Sequence, residues 1–270
     1  MSKISKSEID KAIELFNSGI SITKIAKQLN RDRGTLTKRL KDAGVSIIQD
    51  NNKKYVNSNY FSEINEHSAY WLGLLMADGH VNLNNNSLEL TLKDKEHIEK
   101  FKQDLSSDHT IGTKTINGHI YYRLCFRDKI IINDLANYGF HNTKTYNWNM
   151  PDIPNEFMKD FIRGLYDGDG CFRLKINKDI YVGESNCSIV SYNKDILEQI
   201  KIIICSETNI NPKHISIYDY ENRIPELNIH SKDAIQQFTD WIYNDATIYL
   251  NRKYQKYLDF CRLRTISEEE

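Results

Sequence analysis

Apolar residues recur at helical spacing through the first 44 positions and predict three short helices. The first begins near residue 7 and ends at Gly19, where the apolar spacing stops. A second is expected over about 22–29. After a tight break, Asp32 can cap a third helix that ends before Gly44.

The predicted third helix has one apolar and one basic face. Leu36 and Leu40 are four residues apart and are expected to be buried. The outward face carries Arg33, Thr37, Lys38 and Lys41. This arrangement resembles a resolvase-like helix-turn-helix, in which the third helix enters the major groove of DNA. The alternative is a small solvated three-helix bundle with incidental lysines.

Two mostly apolar segments farther along the chain echo each other. They read WLGLLMADG at 71–79 and IRGLYDGDG at 162–170. Each has glycine at its third position and ends in Asp-Gly. The polar, irregular stretch 46–66 that precedes them cannot bury enough apolar surface to fold alone, so it is expected to be a linker.

After each of the two segments, the spacing of apolar residues changes from helical to alternating. The first copy predicts strands at 79–83 and 87–93, a helix at 94–105, a hairpin turning at Asn117-Gly118 into 119–127, and a helix at 128–138. The second predicts a strand at 171–177, a helix at 193–204, strands at 214–218 and 227–230, and a helix at 232–243. The expected fold class is α+β, with a pseudo-twofold αββαββα duplication that forms antiparallel sheets behind a small all-α module.

These patterns divide the chain into five parts. They are a helix-turn-helix domain at 1–45, a polar linker at 46–66, a first repeat at 67–150, a second repeat at 151–264 and an acidic tail at 265–270. Pro151 and Pro154 mark the join between the repeats.

Charge is distributed unevenly, although the net charge of the 270 residues is only −1. Residues 1–55 hold 12 Lys and Arg against 6 Asp and Glu, and the remainder holds 24 against 31. A basic arm before a mildly acidic body is typical of a DNA-binding module joined to another domain.

Composition excludes several other classes of protein. The mean hydropathy is −0.59 and no apolar run approaches the roughly 18 residues that span a bilayer, so a cytoplasmic protein is expected. The five cysteines are scattered without a Cys-x-x-Cys pair, which indicates reduced thiols and argues against a transition-metal site.

The two echoing segments predict a specific geometry. If both are helices that pack at Gly73 and Gly164, their carboxyl ends meet and Asp78 lies beside Asp169. Helix ends present unpaired carbonyls with partial negative charge, and two added carboxylates form an oxygen-rich cradle suited to Mg²⁺. The alternative is that Asp-Gly simply closes each helix, with glycine in a left-handed cap.

The paired segments resemble the signature of the LAGLIDADG homing endonucleases. That resemblance implies metal binding by Asp78 and Asp169, with the carbonyls of Ala77 and Gly168 as further ligands, and Mg²⁺ as the cofactor, which Mn²⁺ can replace. Lys144 and Lys253 resemble the basic residues that lie late in each repeat near the scissile phosphates. Solvated surface lysines are the alternative. Met76 stands where the second copy has Asp167, so Asp167 is interpreted as a packing residue.

The predicted strands offer a surface for DNA. Their polar faces carry Lys93, Arg123, Arg127, Arg173 and Lys175. A two-stranded ribbon fits the major groove, where such side chains can read base edges. An ordinary solvated antiparallel face is the alternative.

The expected activity is Mg²⁺-dependent hydrolysis of both strands of a long, asymmetric double-stranded DNA site by a monomer. Two other functions stay open. One is a transcription regulator that binds DNA on this scaffold without cutting, and the other is an RNA maturase that acts on intron RNA.

Overall fold

The computed structural model describes residues 4–17, 20, 22–45, 54–142, 148–174, 176–177, 180–181 and 185–269. The chain separates into two compact units, Met1–Lys53 and Lys54–Glu270.

The first unit is built from three helices, as predicted. They are α1 (Lys6–Asn17), α2 (Ile22–Gln28) and α3 (Arg33–Asp42). Their shared core contains Ala12, Ile25, Ala26, Leu36 and Leu40. Asp32 caps α3 by accepting a hydrogen bond from the Thr35 amide at 2.8 Å, and Gly44 follows the helix with a left-handed φ of +80°.

The second unit contains two repeats, each with helices packed on one face of a four-stranded antiparallel sheet. The first repeat consists of α4 (Glu66–Asp78), β1 (Gly79–Asn82), β2 (Ser87–Leu92), α5 (Lys95–Asp104), β3 (Gly112–Ile116), β4 (His119–Arg127) and α6 (Lys129–Asn137). Its strand order is β1-β2-β4-β3. The β3–β4 turn has positive φ at Asn117 (50°) and Gly118 (77°), which confirms the hairpin predicted there.

The second repeat has the same order, with an inserted two-stranded ribbon and an added terminal helix. It consists of α7 (Met158–Asp169), β5 (Gly170–Arg173), β6 (Ile176–Asn177), β7 (Ile180–Tyr181), β8 (Asn186–Val190), α8 (Lys194–Glu207), β9 (Ile215–Tyr218), β10 (Glu226–His230), α9 (Lys232–Tyr243) and α10 (Asn251–Glu269). The main sheet has the order β5-β8-β10-β9, while β6 and β7 pair only with each other among the described strands. The α+β fold class and the duplicated αββαββα order are confirmed.

Two strands of the second repeat depart from the prediction. The strand expected at 171–177 stops at Arg173, and Ile176 pairs with Tyr181 in the separate ribbon. Strand β8, which was not predicted, is a central strand whose residues Cys187, Ser188 and Ile189 are all buried. Burial on both faces removes the polar alternation by which a half-exposed strand is recognised.

Residues 54–66 are not a linker. Val56 and Phe61 are buried in the core of the second unit, and the Asn57 amide donates to the carbonyl of Leu105 at 2.9 Å. The prediction failed because the apolar residues of this stretch are interspersed with polar ones and show no regular spacing. Residues 46–53 of the expected linker lie outside the described residues.

The carboxyl-terminal part of the chain also differs from expectation. Helix α10 continues to Glu269, so the acidic tail expected at 265–270 belongs to a helix through residue 269. Tyr257, Phe260 and Leu263 of this helix are buried in the common core.

Candidate active site at the paired helix ends

Helices α4 and α7 are in backbone contact at their glycines. A Cβ atom at Gly73 would lie 2.0 Å from the carbonyl oxygen of Phe161, and one at Gly164 would lie 1.9 Å from that of Tyr70. No side chain fits at either position. The two distances are nearly equal, so the helices meet in a reciprocal way, as expected from the repeated glycine.

This contact brings the carboxyl ends of the two helices together. Asp78 is the last residue of α4 and Asp169 the last of α7, and both side chains are exposed. A Cβ atom at Gly168 would lie 2.3 Å from Cβ of Ala77 and 3.4 Å from Oδ2 of Asp78. The Asp78 carboxylate therefore lies against the last turn of α7. We call Asp78, Asp169 and the adjoining residues Ala77 and Gly168 the paired-acid site.

The glycines that follow the two acids do not adopt left-handed caps. Gly79 has φ −76° and Gly170 has φ −82°, so each helix passes directly into a strand. A Cβ atom would lie 2.7 Å from the Leu75 carbonyl oxygen at Gly79 and 2.4 Å from that of Tyr166 at Gly170. Glycine is needed at both positions for this abrupt change of direction, and the alternative of a left-handed cap is wrong.

Lys253 reaches the paired-acid site from α10. Its side chain is only 4 % exposed, so it is not a solvated surface lysine. Its Nζ donates to the carbonyl oxygens of Tyr166 at 2.5 Å and Gly170 at 2.6 Å, on either side of Asp169. Burial lowers the pKa of Lys253 to about 8, and the negative charges of Asp167 and, more weakly, Asp78 oppose that fall.

Asp167 has more than a packing role. It is completely buried and accepts hydrogen bonds from the Tyr70 hydroxyl at 2.8 Å, the Tyr243 hydroxyl at 2.6 Å and the Leu250 amide at 2.7 Å. Burial raises the pKa of this carboxyl, against the influence of Lys253 and of these hydrogen bonds. Its position within the second signature was the available signal, but Met76 in the first copy obscured it.

Arg163 is a second buried charge that sequence reasoning missed. It has no exposed surface, lies 2.8 Å from Asp160 Oδ1, and donates to the carbonyl oxygens of Ile248 at 2.8 Å and Ile242 at 3.0 Å. These bonds tie α7 to the end of α9 and the segment that leads to α10. An arginine near the start of a mostly apolar signature was the signal that could have revealed it.

Four of the five predicted sheet cations belong to the described residues, and all four have the exposure that the alternating pattern predicts. Lys93, Arg123, Arg127 and Arg173 are exposed, while Leu124 and Phe126 of the same β4 strand are buried against the helices. Arg123 lies 3.5 Å from Glu89 on the neighbouring strand. Lys144 and Lys175 lie outside the described residues.

The basic face of α3 is exposed in the first unit. Arg33, Lys38 and Lys41 are exposed, and Thr37 is half-buried with its hydroxyl donating to the Arg33 carbonyl at 2.7 Å. Arg39 is also exposed on this helix and was not singled out from the sequence. Arg31 and Glu8, 2.9 Å apart, tie the turn before α3 to α1.

Two kinds of feature do not occur within the described ranges. They contain no cluster of three or more His, Cys, Asp or Glu side chains able to hold a metal ion. They also contain no helix long and apolar enough to cross a membrane.

The chain is similar in sequence to two proteins of one organism and similar in fold to a solved structure. An uncharacterised protein of Methanocaldococcus jannaschii is 27% identical over 184 residues, which are 63% of this chain and 67% of that protein. The reverse gyrase of the same organism is 26% identical over 196 residues, 72% of this chain but only 12% of the reverse gyrase. Among solved structures, the I-LtrWI LAGLIDADG homing endonuclease bound to target DNA is similar, with a TM-score of 0.53 and 15% identity over 79% of this chain and 92% of that one.

A family model described as the LAGLIDADG-like domain matches residues 65–132 and 156–243. The two matched ranges contain both signature helices, α4 and α7, and together make up more than half of the chain. This chain therefore belongs to the LAGLIDADG-like domain family.

Proposed function

We propose that this protein is a site-specific DNA endonuclease that hydrolyses both strands of a long, asymmetric duplex site with Mg²⁺. The observation that carries the proposal is the 3.4 Å approach between the Asp78 carboxylate and the Cβ position of Gly168, one residue before Asp169. Two carboxylates on converging helix ends repel each other unless a cation lies between them. The fold shared with a homing endonuclease bound to its target DNA is consistent with this proposal.

The donor chemistry of the paired-acid site fits Mg²⁺. Asp78 and Asp169 would hold the ion, with the carbonyl oxygens of Ala77 and Gly168 as further hard donors. When bound, Mg²⁺ acidifies a coordinated water and offsets negative charge on the leaving oxygen of a phosphodiester.

Lys253 stabilises the backbone on either side of Asp169. Its ammonium holds the last turn of α7 and the first residue of β5 through two carbonyl oxygens, and so limits movement of the turn that contains Asp169. Its positive charge also favours binding of a phosphate close to two carboxylates. We propose that the charge of Lys144, in the first repeat, likewise favours binding of a phosphate near the scissile bond.

The exposed faces of the two sheets form the proposed DNA surface. In the first sheet Arg123 and Arg127 lie on the face opposite the helices, and exposed Lys93 directly follows β2. In the second sheet Arg173 lies on the corresponding face, followed by Lys175 in sequence. Because the two sheets differ in sequence, one chain can read two different half-sites, and no dimer is required. Helix α3, with Arg33, Thr37, Lys38 and Lys41, adds a separate contact that raises affinity through effective concentration.

The test is cleavage of a plasmid library that carries randomised inserts, followed by sequencing of the new ends. Wild-type protein with Mg²⁺ should cut one class of insert, and EDTA should abolish cutting. Asp78→Asn and Asp169→Asn should each lower the cleavage rate at least about 100-fold, because each removes a charged ligand from the metal. Binding to the selected insert in EDTA should persist in both variants.

Asp152→Asn provides the matched control, since Asp152 is an exposed aspartate outside the paired-acid site. It should cut at the wild-type rate. If wild-type protein binds a selected DNA tightly but never cuts it, the endonuclease proposal is wrong and a regulator is favoured. Tight binding to structured RNA without DNA cleavage would favour a maturase instead.

A further inference from the structure

The hydrogen bonds of Asp167 connect three parts of the second unit. Tyr70 belongs to α4 of the first repeat, Tyr243 is the last residue of α9, and Leu250 immediately precedes α10. One buried carboxylate of the second unit thus joins both signature helices to the start of the terminal helix.

The contact with Leu250 lies at the first turn of α10. The Leu250 carbonyl accepts from the amides of Lys253 at 2.9 Å and Tyr254 at 3.1 Å, so this residue forms the first turn of the helix. Its own amide would have no partner inside the helix, and Asp167 supplies one at 2.7 Å. A negative charge at this end is also favoured by the helix dipole.

Lys253 lies in that first turn, so its position depends on where α10 starts. The side chain extends from α10 to the Tyr166 and Gly170 carbonyl oxygens at the end of α7. A buried ammonium in contact with two carbonyls must be held accurately, because a small displacement of α10 would leave it buried without those partners.

We propose that Asp167 is a positioning residue for the paired-acid site. It holds the start of α10 through the Leu250 amide, and thereby places the Lys253 ammonium against the turn that contains Asp169. The significance for catalysis rests on the proposed endonuclease function, whereas the placement of Lys253 does not.

Packing alone does not account for an aspartate at this position. A fully buried carboxylate loses its hydration, and replacing buried charges with apolar residues of similar size is often neutral or stabilising. The corresponding position of the first signature holds Met76, which is 4 % exposed and fills the same kind of space without a charge. The carboxylate is therefore explained by its hydrogen bonds with Tyr70, Tyr243 and the Leu250 amide.

The test measures how fast lysines of the folded protein are acylated, with each site quantified by mass spectrometry. Exposed Lys194, whose side chain is 49% accessible, serves as the internal reference. In the wild type, Lys253 should react far more slowly than Lys194. In Asp167→Asn, acylation of Lys253 should rise roughly 10- to 100-fold, the range expected when hydrogen bonds to a buried charge are lost.

Tyr243→Phe is a milder variant that removes a single hydrogen bond from the same carboxylate. This variant should raise the acylation of Lys253 by a smaller factor. It also tests the proposal if Asp167→Asn does not fold. Leu197→Ala is the control for general destabilisation. Leu197 is fully buried on α8, which contributes none of these hydrogen bonds, and all proteins are compared at equal intervals below their melting temperatures.

Unchanged protection of Lys253 in folded Asp167→Asn would overturn the proposal, as would equal exposure of Lys253 in Leu197→Ala. In DNA cleavage, Asp167→Asn should lower the single-turnover rate while the dissociation constant for DNA stays within about twofold of the wild type. If the wild type cuts no DNA, the proposed function fails, and the acylation result still decides whether Asp167 positions Lys253.

Discussion

His97 shows how burial can set the charge of a single residue. It is 2 % exposed and its Nε2 lies 2.8 Å from the Tyr70 hydroxyl. Because the only hydroxyl hydrogen of Tyr70 is donated to Asp167, we assign the ring proton to Nε2, so that His97 is the donor. Burial lowers the pKa of His97 to about 3, with the positive charges of Lys100 and Arg252 acting in the same direction.

This pKa predicts a loss of stability in acid. The folded pKa lies below the unfolded value of about 6.5, so between these values the unfolded chain binds a proton that the folded chain does not. Stability from this group is complete above pH 6.5 and is lost as pH falls towards 3. Between pH 7 and pH 5, the wild type should lose about 2 kcal/mol more unfolding free energy than His97→Gln.

Urea denaturation at pH 7, 6 and 5 measures this difference. Exposed His80→Gln serves as the control and should follow the wild-type curve. Parallel curves for wild type and His97→Gln would show that the imidazole is not kept neutral by burial.

The close contact between helices α4 and α7 predicts that one added methyl group will destabilise the protein. Gly164→Ala places a Cβ atom 1.9 Å from the Tyr70 carbonyl oxygen, so the two helices must separate. Overpacking of this kind costs about 3 kcal/mol, which outweighs the roughly 1 kcal/mol that alanine gains in helix propensity. We expect a net loss of about 2 kcal/mol in urea denaturation, together with slower DNA cleavage as Asp78 and Asp169 move apart.

Gly112→Ala is the matched control. The nearest atom to a Cβ at Gly112 is the Arg123 carbonyl oxygen at 4.0 Å, and the position has no positive φ. Its effect on stability should stay within about 0.5 kcal/mol. A Gly164→Ala protein as stable as the wild type would contradict the close approach of the two helices.

The division into two compact units leads to a prediction for the whole molecule. Deleting Met1–Lys53 removes most of a basic segment and leaves the second unit with the complete paired-acid site. The shortened protein should cut the same DNA site with weaker binding. The dependence of log K on log salt should become shallower by about 0.9 for each lost phosphate contact.

Two full-length double variants that lose the same charge distinguish a specific DNA contact by α3 from a general effect of net charge. Lys38→Gln with Lys41→Gln removes two exposed cations from α3. Lys194→Gln with Lys201→Gln removes one exposed and one half-buried cation from α8, which packs against its sheet opposite the proposed DNA surface. Filter binding at several salt concentrations should weaken only for the α3 pair. Equal weakening in both would show that α3 makes no specific contact with DNA.

Across the whole chain, elements with a strong local pattern were predicted well. Helix α9 has the predicted bounds, Lys232–Tyr243, and the β3–β4 hairpin turns at Asn117-Gly118. Strand β8 escapes prediction because it is buried on both faces, which removes the polar alternation. Helix α10 is also absent from the prediction, although its buried Tyr257, Phe260 and Leu263 recur at helical spacing. The linker prediction for residues 54–66 is wrong because their partners lie far along the chain, as in the hydrogen bond from the Asn57 amide to the Leu105 carbonyl.

The sequence by itself determined the duplication, the glycines at which two helices can meet, and the acid at the end of each helix. Those features are local, since each depends on residue type and spacing within one segment. Only the tertiary structure decided that Asp78 lies against the last turn of α7, that Lys253 is buried beside Asp169, and that Asp167 accepts three hydrogen bonds. Burial and hydrogen-bond partners depend on contacts between distant segments, and no pattern within one segment contains them.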